Sequence, residues 1–293
     1  MLISRLMLFL ILGIACNVML LLVVRGFKKY GVEAFPAIVV NYFVAASLSL
    51  AFTSTKGVYM EARHLWGPAL LLGALFVSVF YLISLTTDRI GVSVASVANK
   101  MSVAIPVIMA FLLYGDEVTF LKISGILLAL LSVVFVSSRG GAAKGANKTG
   151  WLLPLAVFLG SGIIDALVNY AQKEVVRSVD ETACLTGLFF YAAGLFGLLA
   201  FVFFYRGKRQ LNYGRTALAG LVLGLPNYFS IYLIMRAISD NVLQSSVLYP
   251  VVNVGVVLGS TLCAFFFFSE RLSLTNWLGI ALSIVAIALI TFA

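Results

Sequence analysis

Two charged side chains, Lys100 and Asp165, lie inside long apolar stretches, where they could bind a charged solute or transfer a proton. Lys100 falls in SVANKMSVAIP (96–106), and Asp165 falls in GSGIIDALVNYAQKE (160–174). An ionised group inside a bilayer costs several kcal/mol, and such groups usually mark a solute or proton pathway. The two residues are therefore predicted to lie in one substrate-binding site, with Asp165 as the proton-coupling candidate.

The spacing of neighbouring polar residues places each charge on a polar helix face. Ser93, Ser96 and Lys100 are separated by three and four residues, as are Gly162, Asp165 and Asn169. Counted from the starts of their apolar segments, the two charges lie about 15 Å and about 21 Å along their helices. Lysine can bridge that difference, so Lys100 and Asp165 are predicted to pair in at least one conformation.

Further polar side chains in apolar segments are predicted to line the same cavity, because polar stripes avoid lipid. The amide and phenol residues in this set are Asn17, Asn41, Tyr81, Asn99, Asn169, Asn227, Tyr228, Tyr249 and Asn253. Two other interpretations remain open. Lys100 and Asp165 could form a purely structural ion pair, and the amides and phenols could bridge helices without touching a substrate.

The composition indicates an integral membrane protein that crosses the bilayer many times. Of 293 residues, 62% are hydrophobic and 11% are charged, with a mean hydropathy of +1.09, whereas soluble domains carry roughly 25% charged residues. The net charge of +9 comes mostly from loop lysines and arginines, which contact anionic lipid and orient loops rather than bind nucleic acid. Ten transmembrane helices are predicted, at 3–24, 35–53, 66–87, 91–113, 119–137, 151–172, 183–205, 216–238, 242–268 and 273–292.

The two halves of the chain are predicted to be repeats. Residues 114–130 match residues 268–284 at an offset of 154: an apolar helix, an acidic turn containing Asp116 or Glu270, a capping Thr119 or Ser273, and another apolar helix. Other matches occur at offsets of 147 and 151. The predicted organisation is a first five-helix repeat at 1–137, a linker at 138–150 and a second repeat at 151–293. Because five is odd, the repeats must have inverted topology, an arrangement typical of secondary transporters.

The paired segments GDEVT…G and SERLS…G resemble the EamA repeat of the drug/metabolite transporter superfamily, and the ten-helix duplicated layout is similar along nearly the whole chain. Two details differ from that pattern: Gly115-Asp116-Glu117 stands where Gly-Glu is usual, and Ser269-Glu270 lacks the glycine. The resemblance implies export or exchange of small organic metabolites such as amino acids, nucleotide sugars or sugar phosphates. It also implies cytoplasmic termini, whereas the distribution of Lys and Arg over the predicted loops favours the opposite orientation.

These observations predict a secondary transporter of a small polar or charged metabolite, working by alternating access with its site near the midplane between the repeats. A channel, a lipid-handling protein and an intramembrane enzyme are the alternatives. An enzyme is not expected, since the one histidine, His64, lies in a loop and the cysteines Cys16, Cys184 and Cys263 lack metal-ligand spacing. No cofactor and no metal are expected. The expected partners are the substrate and membrane lipids, with a homodimer as one option, and the expected location is a bacterial inner membrane.

Overall fold

The structure, a computed structural model, describes residues 2–52, 62–114, 119–137, 151–205, 212–239, 245–269 and 272–291. All regular secondary structure in these ranges is helical. The helices are α1 Leu2–Gly26, α2 Ala34–Phe52, α3 Trp66–Arg89, α4 Val92–Met101, α5 Ala104–Tyr114, α6 Phe120–Ser137, α7 Leu152–Tyr170, α8 Val179–Ala200, α9 Tyr213–Ser239, α10 Ser245–Phe268 and α11 Leu274–Thr291. The predicted linker 138–150 and the acidic turn residues Asp116 and Glu270 lie outside the described residues.

Seven helical stretches within the described ranges are long and apolar enough to cross a bilayer: Leu8–Gly26, Ala34–Phe52, Arg63–Arg89, Val92–Met109, Leu152–Tyr170, Ala183–Phe203 and Tyr213–Leu233. Three shorter apolar helices, Phe120–Phe135, Val252–Phe268 and Leu274–Ile290, accompany them. The predicted all-α fold is thus confirmed. The count of ten spans and the inverted repeat stay predictions.

The fourth predicted span, 91–113, is not one continuous helix. It is divided into α4 and α5 by a two-residue turn, Ser102 and Val103, in which Ser102 keeps right-handed helical dihedrals (φ −55°, ψ −19°). Pro106 explains the break, because its ring has no N–H for the carbonyl of Ser102 four residues earlier and clashes with it. That carbonyl instead accepts a hydrogen bond from the backbone N–H of Ile105 at 2.9 Å.

Side chains cap several helix ends where backbone groups lack helical partners. The Ser178 hydroxyl accepts a hydrogen bond from the Glu181 N–H at the start of α8. At the other end of a helix, the Arg25 guanidinium donates to the carbonyls of Thr87 and Asp88 in the last turn of α3, at 2.8 and 2.6 Å. A cation at a helix C-terminus also interacts favourably with the helix dipole.

The described residues belong to two compact units, each drawn from both halves of the chain. The first comprises 1–25, 82–165 and 229–293. Its core is formed by α4, α6, α10 and α11, with Val97, Met101, Ala129 and Ile287 among the buried residues. The GxxxG spacing of Gly255 and Gly259 predicts a close helix contact. The structure confirms it, because a Cβ at these positions would lie 2.7 Å from Ile14 and 3.0 Å from Val18 of α1.

The second unit comprises residues 26–81 and 166–228. Here α2 packs against α8, and the rings of Phe76 on α3 and Phe189 on α8 stack with their centroids 4.6 Å apart. Gly220 and Gly224 have the same GxxxG spacing, which predicts a close helix contact, and the structure confirms this contact as well. A Cβ on Gly220 would overlap Val40 of α2 and lie 2.8 Å from the carbonyl oxygen of Ala37.

Gly220→Ala is expected to lower the free energy of unfolding by about 1–3 kcal/mol, the usual cost of overpacking. The added methyl group meets backbone as well as side chain, so α2 and α9 must separate to accommodate it. Gly214→Ala is the matched control on the same helix, because its nearest neighbour would lie at 3.7 Å. Thermal unfolding of the purified protein in detergent measures both variants. Equal stability of Gly220→Ala and Gly214→Ala would contradict the tight α2–α9 contact.

Candidate functional site

Asp165 lies beside the break between α4 and α5, and Lys100 lies in the last turn of α4. The Asp165 carboxylate, on α7, lies 3.2 Å from the Ser102 hydroxyl at the break, and it interacts electrostatically with the Lys100 ammonium. The direct hydrogen bond of the carboxylate is therefore with Ser102. The structure brings the two predicted charges into one electrostatic site.

Close helix packing holds α7 against the break. Gly162 lies one turn before Asp165, and a Cβ at Gly162 would overlap the Ile105 side chain in the first turn of α5. Only glycine allows α7 to approach α5 this closely. The same approach brings Asp165 within hydrogen-bonding distance of Ser102, so Gly162 positions the site.

Lys100 and Asp165 are the charged residues of the helices on which they lie. No other Asp, Glu, Lys, Arg or His occurs in α4, α5, α7, α10 or α11. The Lys100 side chain is half-buried, whereas Asp165 is exposed. Because an ionised carboxylate is costly against lipid, an exposed Asp165 in an apolar helix is best accommodated beside water.

Among the other predicted site residues of the first unit, Asn99 is the nearest to the charges in the chain, and its carbonyl accepts a hydrogen bond from Ser102 at 2.5 Å. Asn17 is occupied within α1, where its amide donates to the Gly13 carbonyl at 3.0 Å. Asn253, on α10, is half-buried. Tyr249 is also on α10, and its side chain lies outside the described part of the chain.

In the second unit, Asn41 and Asn227 form a buried amide pair between α2 and α9. Asn227 Nδ2 donates to Asn41 Oδ1 at 3.1 Å, and the two residues are 8% and 0% exposed. Asn41 Nδ2 is buried and has no hydrogen-bond partner among the described atoms. The helix-bridging interpretation is therefore realised for this pair, which still leaves one amide donor without an acceptor.

The remaining predicted residues of the second unit have different surroundings. The Tyr81 ring packs edge-on against Phe35, with centroids 5.2 Å apart, and Tyr228 is buried with its ring stacked on Phe52 at 5.9 Å. Asn169 is exposed on α7. The ring contacts of Tyr81 and Tyr228 are aromatic packing.

Ser102 was missed by the sequence analysis although it contacts the Asp165 carboxylate directly. A serine in an apolar helix is common, so its residue type carries little information. The available signal was its position: it lies four residues before Pro106, where the helix must lose a backbone hydrogen bond.

An open groove of about 570 Å³ runs between α2 and α9. Its lining is almost entirely apolar and includes Val40, Phe43, Val44 and Leu225. None of the predicted site residues lines it. A groove with this lining suits lipid acyl chains rather than a polar solute.

A histidine–carboxylate contact lies in the second unit, outside the spans. His64 Nε2 and Glu181 Oε2 are 3.3 Å apart, and the same carboxylate oxygen accepts a hydrogen bond from the Arg177 N–H at 2.7 Å. Glu181 precedes the spanning stretch that starts at Ala183. The Arg177 N–H, followed by His64, holds the pKa of Glu181 below its usual value.

Glu181→Gln is expected to lower the melting temperature at neutral pH, with a loss that shrinks in acid. A carboxyl whose folded pKa is depressed stabilises the folded state above its unfolded pKa, and that contribution disappears as the pH falls through the folded pKa. Melting curves of both proteins across this acidic range measure the difference. Glu174→Gln, at an exposed position, is the control and should leave the curve unchanged. A stability difference independent of pH would contradict this assignment.

The apolar helices and the lone charged pair define the class: the chain is an all-helical integral membrane protein. No family model matches it. The sequence is 27% identical over 285 residues to an uncharacterized protein of Haemophilus influenzae, covering 95% of each chain. The fold is similar to that of a solved protein titled "Crystal structure of protein", with a TM-score of 0.58, 16% identity and 96% of each chain covered. At that identity the likeness establishes the fold alone.

Proposed function

We propose that the protein is a secondary transporter that moves a small polar or charged organic metabolite across a bacterial inner membrane by alternating access. Lys100 and Asp165 bind the substrate beside the α4–α5 break, and Asp165 carries the coupling proton. Amino acids, amines and phosphorylated or sugar compounds all have groups that these two charges could bind.

The observation that carries the proposal is the contact of the Asp165 carboxyl group with Ser102 at the turn between α4 and α5, together with its electrostatic interaction with Lys100, in helices with no other charge. Transporter sites are commonly built at discontinuous helices, because the break frees backbone groups and permits movement. A structural ion pair would instead be expected to bury both charges in direct contact. Here the carboxylate is exposed, and its direct hydrogen bond goes to a serine.

Matching helix caps support the inverted repeat. Thr119 Oγ1 accepts the Lys122 N–H at 3.2 Å at the start of α6, and Ser273 Oγ accepts the Asn276 N–H at 3.2 Å at the start of α11. Both pairs are related by the predicted offset of 154. The capping function predicted for Thr119 and Ser273 is thus confirmed, and its duplication supports a repeat.

The packing of corresponding helices supports an inverted orientation. The start of α6 lies against the end of α11, where a Cβ on Gly125 would lie 2.6 Å from Ile290. At the opposite end of the same two helices, Asn276 Nδ2 lies 3.5 Å from the Phe135 carbonyl. The two helices are therefore antiparallel, as a two-fold relation between inverted repeats requires.

A second pair of contacts repeats in the other unit. A Cβ on Gly73 of α3 would lie 2.5 Å from Ala192 of α8, and one on Gly224 of α9 would lie 2.6 Å from Val44 of α2. The predicted repeat exchanges α3 with α9 and α2 with α8, and Gly73 and Gly224 differ by the predicted offset of 151. Together with the resemblance to the EamA repeat, these contacts favour a ten-span transporter of the drug/metabolite type, with membrane lipids around it.

Counterflow in proteoliposomes tests the proposal against a channel. Vesicles containing the purified protein are preloaded with one unlabelled compound from a panel of amino acids, amines and sugar phosphates, and uptake of its labelled form is followed. We expect at least one class to show transient accumulation that depends on preloading and saturates with concentration. Vesicles without protein provide the baseline.

A carrier exchanges solute one binding event at a time, so preloading accelerates its uptake, whereas an open pore gives no such acceleration. Flux without counterflow would therefore indicate that the protein is a channel rather than a transporter. No flux for any compound, from protein that melts cooperatively, would contradict the proposal.

A further inference from the structure

Ser102 has one hydroxyl hydrogen but lies within hydrogen-bonding distance of two acceptors. Its Oγ is 2.5 Å from the Asn99 carbonyl oxygen and 3.2 Å from Asp165 Oδ2, and the residue is 1% exposed. A serine hydroxyl donates one hydrogen bond and accepts others through its lone pairs. With Asp165 ionised, the single hydroxyl hydrogen must be shared between the two acceptors or donated to one of them. Two full hydrogen bonds form at the same time if Asp165 itself donates, that is, if its carboxyl group is protonated.

The protonation state of Asp165 therefore fixes the direction of the Ser102 hydrogen bonds. With Asp165 protonated, its O–H donates to Ser102 Oγ, and Ser102 donates to the Asn99 carbonyl. With Asp165 ionised, the serine hydrogen turns to the carboxylate, because hydrogen bonds to a charged acceptor are about twice as strong. The Asn99 carbonyl, in the last turn of α4, then loses this donor.

Loss of that donor matters because the carbonyl belongs to the helix break. Carbonyls in the last turn of a helix have no helical partner, and the Ser102 carbonyl is already bonded to the shifted Ile105 N–H. Releasing the Asn99 carbonyl makes it available to water or substrate and loosens the junction between α4 and α5. Protonation of one carboxyl is thus linked to the hydrogen bonding of a backbone hinge.

We propose that Ser102 is a positioning residue that couples protonation of Asp165 to the conformation of the α4–α5 break. The inference rests on the proposed function, of which it specifies the coupling step. Lys100 is the other charge on the helices that form the break, since α5 and α7 add none besides Asp165. Of the helices packed against α4, α10 and α11 carry no charged residue, whereas α1, α3 and α6 carry Arg5, Arg25, Asp88, Arg89 and Lys122 only in their first or last turns. The Lys100 ammonium favours the ionised form of the Asp165 carboxyl group. Ser102 links the protonation state of that group to the hydrogen bonding of the α4–α5 break.

Two spectroscopic measurements on the purified protein in lipid nanodiscs test this coupling without any transport assay. Infrared difference spectra between about pH 4 and about pH 9, a range that spans common shifts of carboxyl groups, follow the carbonyl stretch of protonated Asp165, which Asp165→Asn identifies by its loss. Amide hydrogen exchange, corrected for its intrinsic pH dependence, follows protection in residues 99–106.

In the wild type, we expect the carboxyl band to disappear and protection at residues 99–106 to fall over the same pH interval. Ser102→Ala should keep a titrating band, shifted to higher wavenumber, while protection no longer changes with pH. Ser102→Thr retains a hydroxyl and should restore the pH dependence. Ser132→Ala is the matched control, since the Ser132 hydroxyl makes the same type of bond to a carbonyl three residues earlier, at 2.7 Å, and this bond involves no carboxylate.

Two results would overturn the inference. One is a pH-dependent protection in Ser102→Ala that equals the wild type. The other is the absence of any band that Asp165→Asn removes. If the wild type shows counterflow and either of these results is found, the proposed transport function stands and the coupling through Ser102 is rejected. If the carboxyl band and the amide protection change together with pH as expected but no compound shows counterflow, the proposed transport function is rejected instead.

Discussion

Asp165→Asn is expected to abolish proton-driven accumulation of substrate and to retain counterflow, with a higher half-saturation concentration because an amide replaces one of the two charges that bind the substrate. Asparagine preserves the size and polarity of the side chain and cannot release a proton. Asp165 is the acidic residue within the apolar part of the described helices, because Asp88, Asp180 and Glu181 lie in first or last turns. A carrier that cannot release its coupling proton can still exchange one substrate molecule for another.

The expected size follows from the energy in a proton gradient. One pH unit is worth about 1.4 kcal/mol, or about tenfold accumulation per proton. Wild-type vesicles with a one-unit gradient should therefore accumulate substrate up to about tenfold per proton exchanged, and Asp165→Asn vesicles should only equilibrate. Glu174→Gln, at an exposed position, should behave as the wild type. Gradient-driven accumulation by Asp165→Asn would contradict the assignment of this carboxyl as the proton carrier.

Lys100→Met is expected to reduce transport by about 10–100-fold with little change in stability. A hydrogen bond to a charged group contributes about 1.5–3 kcal/mol, which corresponds to that range of affinity. Methionine retains most of the length and apolar surface of lysine, so the packing around the half-buried side chain is preserved. The loss should appear as weaker substrate binding, measured as a higher half-saturation concentration in counterflow.

The double variant Lys100→Met with Asp165→Leu separates binding from a structural ion pair. If the pair is structural, either single variant leaves one charge uncompensated, at a cost of about 3–5 kcal/mol, and the apolar double variant recovers that stability. If the pair binds substrate, the free energy of unfolding of each single variant lies within about 1 kcal/mol of the wild-type value. The double variant then remains inactive in transport. Recovery of stability in the double variant alone would contradict a binding role for Lys100.

The sequence predicted the apolar helices, the two charges and the close glycine contacts for clear physical reasons. A bilayer requires long apolar helices, so the stretches that contain Lys100 and Asp165 stand out against average composition. Gly255 and Gly259 have the spacing that lets helices approach closely, and α1 does pack there. Each of these features depends on residue types at a fixed local spacing.

The helix break could not be placed from sequence, because proline has different consequences in different surroundings. Pro226 lies inside α9, which continues through it, whereas the span containing Pro106 divides at Ser102–Val103. Whether a chain stays helical past a proline depends on the partners found by the freed backbone groups. Those partners belong to tertiary structure, as does the contact between Ser102 and Asp165.

The partner of a polar side chain in an apolar helix also could not be predicted from sequence, as the amide pair shows. Asn41 and Asn227 were grouped with the charged site because both are polar residues in apolar helices. Their hydrogen bond depends on α2 and α9 meeting at Gly220 and Gly224. Periodicity identifies which face of a helix is polar, but not which helix that face meets.

The most direct test of the central claim is transport and melting measured together on the same preparations of the wild type, Lys100→Ala and Asp165→Asn. Each protein is reconstituted at equal folded amount and assayed with the metabolite panel, with and without a pH gradient. Substrate uptake by the wild type, strongly reduced uptake by Lys100→Ala, loss of gradient-driven accumulation by Asp165→Asn and unchanged melting temperatures are predicted. Variants that transport like the wild type and lose only thermal stability would contradict the claim that these two charges form a transport site.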